Sequence, residues 1–221
     1  ESIYEYGSRR GFWRIYNEFI NRDLPLTIFG VGLALEKNEE ICSAIKEANF
    51  EVASHGYRWI NYQDIDPKIE EDHIIKCNEI IKKIFGYYPS GWYTGRTSPN
   101  TRELVLKNTQ VIYDSDSYSD DLPYWIDNKD KRHLIIPYTL DNNDMRFVTA
   151  QGFNTGDDFY NYLQLKIDYS LLKNIKTKTG ASPLKEGNYF VKTPSNLFTL
   201  LKKLLPNYLK DKIKFLLSIS L

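Results

Sequence analysis

The most constraining feature of this sequence is a repeated pairing of a helix-period apolar stripe with a short, continuous apolar run. Phe12, Ile15, Tyr16, Phe19 and Ile20 recur at helical spacing behind Ser8, which predicts a capped helix, and Leu26-Thr-Ile-Phe-Gly30 follows as a buried strand. Asn38 heads a second helix with Ile41, Ala44, Ile45 and Ala48 on one face, and Asn49 ends it before the strand Phe50-Glu-Val-Ala-Ser-His55. Asp66-Pro67 reads as a cap with proline at the first helical position. It leads Ile69, Cys77, Ile80, Ile81 and Ile84 to a stop at Gly86, with a strand at 91–94. Ser98-Pro99 opens a shorter helix through Leu104 and Val105, and Val111-Ile-Tyr113 and Leu134-Ile-Ile-Pro-Tyr138 read as two more strands. Asn154-Thr-Gly-Asp-Asp158 suits a helix start, its acids at the positive helix end. Such alternation predicts an α/β fold around a parallel sheet, open or closed into a barrel, and five strands are too few for an eight-stranded one.

Charge divides the chain. The 29 basic and 29 acidic side chains cancel over 221 residues, which argues against a protein held to nucleic acid by its overall field. Residues 1–170 hold 19 Lys and Arg against 27 Asp and Glu, whereas 171–221 hold 10 Lys, no Arg and 2 acids, so the parts carry −8 and +8. We read 1–170 as the folded domain and 171–221 as a basic Leu- and Lys-rich tail. Leu200, Leu201, Leu204 and Leu205 could form an amphipathic helix on an anionic membrane; the favoured reading is a tail without that role. No run of about 18 apolar residues and no secretory signal occurs, so the expected location is cytoplasmic. Cys42 and Cys77 are too few for a disulfide scaffold and lack zinc-site spacing, which predicts reduced core thiols.

In parallel α/β folds chemistry gathers where the C-terminal strand ends meet. The four exits here are Ser54-His-Gly-Tyr-Arg-Trp59, Tyr93-Thr-Gly-Arg-Thr-Ser-Pro99, Asp114-Ser-Asp-Ser-Tyr-Ser-Asp-Asp121 and Tyr138-Thr-Leu-Asp-Asn-Asn-Asp144. Histidine exchanges protons near neutral pH, arginine stabilises an oxyanion, and carboxylates orient either group, a set that suits hydrolysis of an amide-like bond. Each residue alone has an ordinary structural explanation; four such exits together point to a site. His55, Arg96 and Asp116 are the candidate catalytic residues, and Trp59, Asp114, Asp121, Tyr124 and Asp141 the candidate substrate-binding ones. His73, within a helix, and His133, within a charged turn, are read as exposed, and Trp13, Trp92 and Trp125 as core or rim.

At these residues the sequence resembles the polysaccharide deacetylase (NodB-homology) superfamily, and within it the allantoinase-like branch. The resemblance spans roughly residues 1–168. It is carried by blocks such as Phe29-Gly-Val-Gly32, Ser54-His-Gly-Tyr-Arg-Trp59, Gly91-Trp-Tyr-Thr-Gly-Arg-Thr-Ser-Pro-Asn100, Tyr113-Asp-Ser-Asp-Ser-Tyr118 and Ile136-Pro-Tyr-Thr-Leu-Asp141. It implies a distorted (β/α) barrel acting on a small-molecule substrate, either a cyclic ureide such as allantoin or an acetamido sugar. Metal-dependent members pair an early acid with His-x-x-x-His. Here His55 matches the first histidine and Trp59 stands at the second, and an indole cannot ligate a divalent ion. The resemblance therefore implies no metal and no other cofactor. The family's opening strand and acid-bearing loop would precede Glu1, and its late Leu-His strand is not found after Asp168, so the barrel is expected to be incomplete at both ends.

Two functions follow from these expectations. One is a hydrolase of non-peptide carbon–nitrogen bonds; the alternative is a catalytically inactive fragment of such an enzyme that binds a ligand or partner. The expected partner is the small-molecule substrate, with no nucleic acid, and a homo-oligomer is left open.

Overall fold

The computed structural model describes residues 5–120, 123–128, 131–138, 143–150 and 152–165. The chain divides into two compact units at Tyr138 and Thr139. In the first unit the chain is already helical at Glu5 and passes through a π-turn, Gly7–Gly11, into α1, Phe12–Asn21. Ser8 therefore lies inside the helical stretch, where its hydroxyl donates to the Glu5 carbonyl at 3.2 Å, and is not a cap. Phe12 is buried, Ile15, Tyr16 and Phe19 pack on the core, and Ile20 turns outward at 43% exposure. The strand β1, Thr27–Gly30, is buried throughout.

A helix absent from the sequence reading, α2, Gly32–Lys37, follows at once. Gly32 allows it to lie against the next long helix, since a Cβ there would sit 3.2 Å from Cys77 Sγ. The Asn38 side chain donates back to the Ala34 carbonyl at 2.7 Å, so it closes α2 and does not cap α3, Glu39–Glu47. Glu39 and Glu40 at the positive end of α3 supply the favourable charge instead. Ile41, Ala44 and Ile45 are buried, and Asn49, at φ 52°, turns the chain into β2, Glu51–Ser54.

The helix α4, Pro67–Phe85, has the sequence-predicted ends. The Asp66 carboxylate accepts from the Lys68 N–H at 2.8 Å, and Gly86 closes the helix in the left-handed region at φ 85°. Its buried stripe runs Glu70, Ile74, Cys77, Asn78 and Ile81, so Ile69, one residue off the stripe, is 49% exposed. Both cysteines are buried and unpaired, and burial pushes the Cys77 thiol up to about 11.

The strand β3, Gly91–Trp92, the helix α5, Thr101–Asn108, and the strand β4, Tyr113–Asp114, come next. The strands β5, Tyr124–Asn128, and β6, Lys131–Ile135, form an antiparallel pair. The sheet order is β1-β2-β3-β4-β6-β5, parallel except for β5. Two expectations change here. The sheet is mixed and has a sixth strand, and the stretch read as a charged turn around His133 is strand β6. Tyr124–Asn128 alternates half-buried and exposed residues as a one-sided strand does, an alternation that its apolar Tyr-Trp-Ile start does not show in the sequence. Among the described residues the sheet is open, with β1 and β5 at its margins.

In the second unit a 3₁₀ turn, Asp144–Phe147, precedes helical residues 156–165. The Asp158 N–H donates to Thr155 Oγ1 at 3.1 Å and the Thr155 N–H to Asp158 Oδ2 at 3.0 Å, a reciprocal cap at the sequence-predicted helix start. Phe147, Phe153, Phe159 and Tyr162 cluster, with the Arg146 guanidinium over two of these rings. The basic tail, 171–221, lies outside the described residues. No helix among the described residues is long and apolar enough to cross a membrane.

Candidate functional site

Register divides the candidate residues between two faces of the sheet. Ser54, Trp92, Asp114 and Ile135 are paired across β2, β3, β4 and β6. The residues after them form a second row, in which the N–H groups of His55, Tyr93, Ser115 and Ile136 donate to Gly30, Ser54, Trp92 and Asp114. Successive side chains on a strand point to opposite faces. His55, Tyr93 and Ser115 therefore share one face, and Trp92 and Asp114 the other.

On the first face His55 is 1% exposed, its ring edge-on to Tyr93 at 5.2 Å and its Nδ1 without a hydrogen-bond partner. Burial drops its pKa to about 4, so the imidazole is neutral at neutral pH. Tyr93 stacks on Tyr138 at 4.6 Å and meets the Tyr118 hydroxyl at 3.3 Å. Gly95, at φ 67°, is required beside it, because a Cβ there would lie 2.6 Å from the Tyr93 hydroxyl. Ser115, also 1% exposed, likewise has no partner for its hydroxyl.

The second face is a charge cluster. Arg102, on α5, forks onto Asp114 with Nε at 2.9 Å and Nη2 at 3.1 Å, and also donates to the Asp116 carbonyl at 2.9 Å. His133 Nε2 lies 2.9 Å from Asp114 Oδ2, and the Asp116 N–H donates to Asp114 Oδ1 at 3.0 Å. Burial works to raise the Asp114 carboxyl, but the hydrogen bonds from His133 and Arg102 overcome it and hold it below the usual carboxylate range. Asp114 is therefore an ionised acceptor, and His133 Nε2 carries the proton between them. The Asp116 carboxylate accepts from Trp92 Nε1 at 3.1 Å, the Thr94 N–H at 3.0 Å and the Gly95 N–H at 2.7 Å. Burial pushes the Asp116 carboxyl up to about 6 against these donors, which favour its ionised form.

Glu70, 1% exposed on α4, accepts from the hydroxyls of Ser98 and Thr101 and so anchors the start of the helix that carries Arg102. A cleft of about 130 Å³ beside this cluster is lined by residues including Trp92, Thr97, Ser98, Arg102, Asp114 and Asp116.

His133 is thus 4% exposed and tied to the site, contrary to its reading as an exposed turn residue. His73, also read as exposed, is half-buried, with Nδ1 3.0 Å from the Tyr62 hydroxyl. Arg102 and Glu70 were missed. The only signal for Arg102 was its place in the first turn of the helix after Pro99, which does not reveal which strand that turn faces.

The Arg96 guanidinium lies over the exposed Trp59 indole at 4.1 Å, and its backbone carbonyl accepts from the Tyr62 N–H at 3.0 Å. Tyr124, at the start of β5, shares hydrogen bonds of 2.9 Å with Ser117 and Ser119. Asp121 and Asp141 lie outside the described residues. A divalent ion held in the manner of His-x-x-x-His does not fit the residues present: the second position is an indole, with the Arg96 guanidinium over its ring. Among the described residues no three His, Cys, Asp or Glu side chains converge as a metal site.

The model of the polysaccharide deacetylase family matches residues 2–115. A Schizosaccharomyces pombe protein that carries the polysaccharide deacetylase name is 44% identical over 184 residues, covering 76% of this chain and 58% of the relative. A Helicobacter pylori peptidoglycan deacetylase is 33% identical over 118 residues, covering 52% of this chain and 40% of its own. The crystal structure of Puue allantoinase superposes with a TM-score of 0.75 at 49% identity, over 80% of this chain and 59% of that one. A Pseudomonas aeruginosa polysaccharide deacetylase structure gives 0.73 at 50% identity, over 76% and 57%. The chain spans less than three fifths of the length of each of these relatives. Among the described residues its α/β sheet, with strand ends bearing His55, Tyr93 and Asp114, is an open, incomplete form of their NodB-type (β/α) barrel. With the family model matched over half of its length, the chain belongs to the polysaccharide deacetylase family.

Proposed function

We propose that this chain carries part of the active site of a hydrolase of non-peptide carbon–nitrogen bonds, acting on a cyclic ureide or an acetamido sugar. The observation that carries the proposal is His55, a buried, neutral imidazole with an unpartnered Nδ1 at a strand end. In this reading His55 takes a proton from water as its oxygen bonds to the substrate carbonyl carbon. The carbon–nitrogen bond then breaks, and the imidazolium returns the proton to the departing nitrogen. Arg96 would stabilise the oxyanion from its seat on Trp59, and the indole would pack on the substrate. Asp116 holds the Thr94–Gly95 turn in shape, and Asp114 acts as its brace, because Arg102 and His133 already occupy its oxygens. Tyr124, Asp121 and Asp141 are proposed substrate contacts. No step in this reading uses a divalent ion, because Trp59 stands at the second position of the His-x-x-x-His pattern.

The test is hydrolysis of allantoin and of N,N′-diacetylchitobiose by the 221-residue chain, with and without EDTA. Loss of a general base costs roughly 10²–10⁴ in rate, so His55→Ala should abolish turnover of the preferred substrate. EDTA should leave the wild-type rate unchanged. Equal rates for wild type and His55→Ala would refute the proposal. No turnover of either compound would favour a ligand-binding remnant.

A further inference from the structure

We infer that Ser115 is a ligand-contacting residue of the His55 face, its hydroxyl taking the end of a neutral ureide remote from the carbonyl at which His55 acts. The inference rests on the hydrolase reading above and adds a residue that the sequence did not single out.

Ser115 and His55 are each 1% exposed, and each ends in a polar atom without a hydrogen-bond partner. An unmet buried hydroxyl or ring nitrogen costs roughly 1–3 kcal/mol, so two in one row are hard to explain as packing. Both belong to the row knit by N–H donation to Gly30, Ser54 and Trp92, with Tyr93 between them. Neighbouring strands lie about 4.8 Å apart, which puts their backbones about 10 Å from each other across the sheet.

The chemistry of the row selects the ligand. His55, Tyr93 and Ser115 are uncharged at neutral pH, whereas Asp114, Asp116 and Arg102 form their cluster around the opposite face. A neutral row with an imidazole at one end and a hydroxyl at the other suits a compound with C=O and N–H groups at both ends, as a ureide has. A single acetamido group presents one C=O and one N–H within one amide and engages only one of the two side chains. Ser115 therefore discriminates between the two substrate classes of the functional proposal.

The test is calorimetric titration of wild type, Ser115→Ala and His55→Ala with allantoin and with N-acetylglucosamine, which carries one acetamido group, together with thermal melts of each protein. Ser115→Ala is expected to weaken allantoin binding by roughly fivefold to tenfold, the worth of one neutral hydrogen bond, and to leave N-acetylglucosamine binding unaffected. Its melting temperature should be unchanged or raised, because an unmet buried hydroxyl has been removed. Unchanged allantoin affinity in Ser115→Ala with weakened affinity in His55→Ala would overturn the role of Ser115 and leave the hydrolase reading intact. A lowered melting temperature with equal loss for both ligands would make Ser115 structural and also overturn it. Wild type that binds neither compound would overturn the hydrolase reading and this inference with it.

Discussion

Replacing Arg102 with alanine tests the charge cluster that braces the strand ends. The Asp114 side chain is 3% exposed and the Arg102 side chain 38%, and two N–H···O contacts join them. Hydrogen bonds to charged groups are worth about 1.5–3 kcal/mol each, and breaking a buried pair from one side costs about 3–5 kcal/mol. Water can reach the Arg102 side, so we expect the lower end, about 3 kcal/mol, read as a shift of the urea-unfolding midpoint followed by tryptophan fluorescence.

The pH dependence carries the sharper signature. In wild type the Asp114 carboxyl is held low, so its contribution is present above the ordinary carboxylate range and is lost as pH falls through its lowered folded value. In Arg102→Ala burial outweighs the remaining partners and raises that carboxyl. The folded variant then keeps a proton that the unfolded chain releases, and its stability falls as pH rises through the same range. The deficit against wild type should therefore be larger at neutral pH than around pH 4. In a cycle with Asp114→Asn the two losses should be strongly non-additive. A deficit under about 1 kcal/mol, or one independent of pH, would refute the view that Arg102 compensates a buried charge.

Three further outcomes follow from the same geometry. Gly91→Ala places a Cβ 2.1 Å from Tyr113 Cζ, so overpacking should cost at least about 1–3 kcal/mol in urea unfolding; a neutral result would show that the Tyr113 ring yields freely. His55 binds its proton more weakly folded, at about 4, than unfolded, at 6.5, so its stability penalty grows as pH falls between those values. Wild type should accordingly lose about 2 kcal/mol more than His55→Gln between neutral pH and about pH 5, and parallel stability curves would contradict the buried, neutral imidazole. Glu70→Ala leaves the Ser98 and Thr101 hydroxyls without their buried acceptor and should cost about 1–3 kcal/mol; wild-type stability and amide-exchange protection in α5 would deny that Glu70 anchors this helix.

Local signals were legible along the chain. Asp66-Pro67 and Gly86 mark the ends of α4 because capping and left-handed closure depend on adjacent residues. The Thr155–Asp158 box marks a helix start for the same reason. Where two local explanations competed, the sequence reading could miss: Asn38 sits where two helices meet, and its amide closes the first instead of opening the second. Ile69 fits an apolar stripe by type, yet Glu70 takes the inward place because Ser98 and Thr101, 28 and 31 residues away, complete its hydrogen bonds.

By itself the sequence determined the alternating α/β order, both limits of α4, the strand exits that carry polar residues, and the family blocks around His55, Gly91–Asn100 and Asp114. All of these depend on spacing within about one element. Tertiary structure decided which exits cooperate. Strand register put His55, Tyr93 and Ser115 on one face and Asp114 on the other, turned His133 from a presumed surface residue into a partner of Asp114, and seated Arg96 on Trp59. These outcomes hang on pairings between strands far apart in the chain, where a shift of one residue would exchange the two faces, and no local pattern encodes that choice.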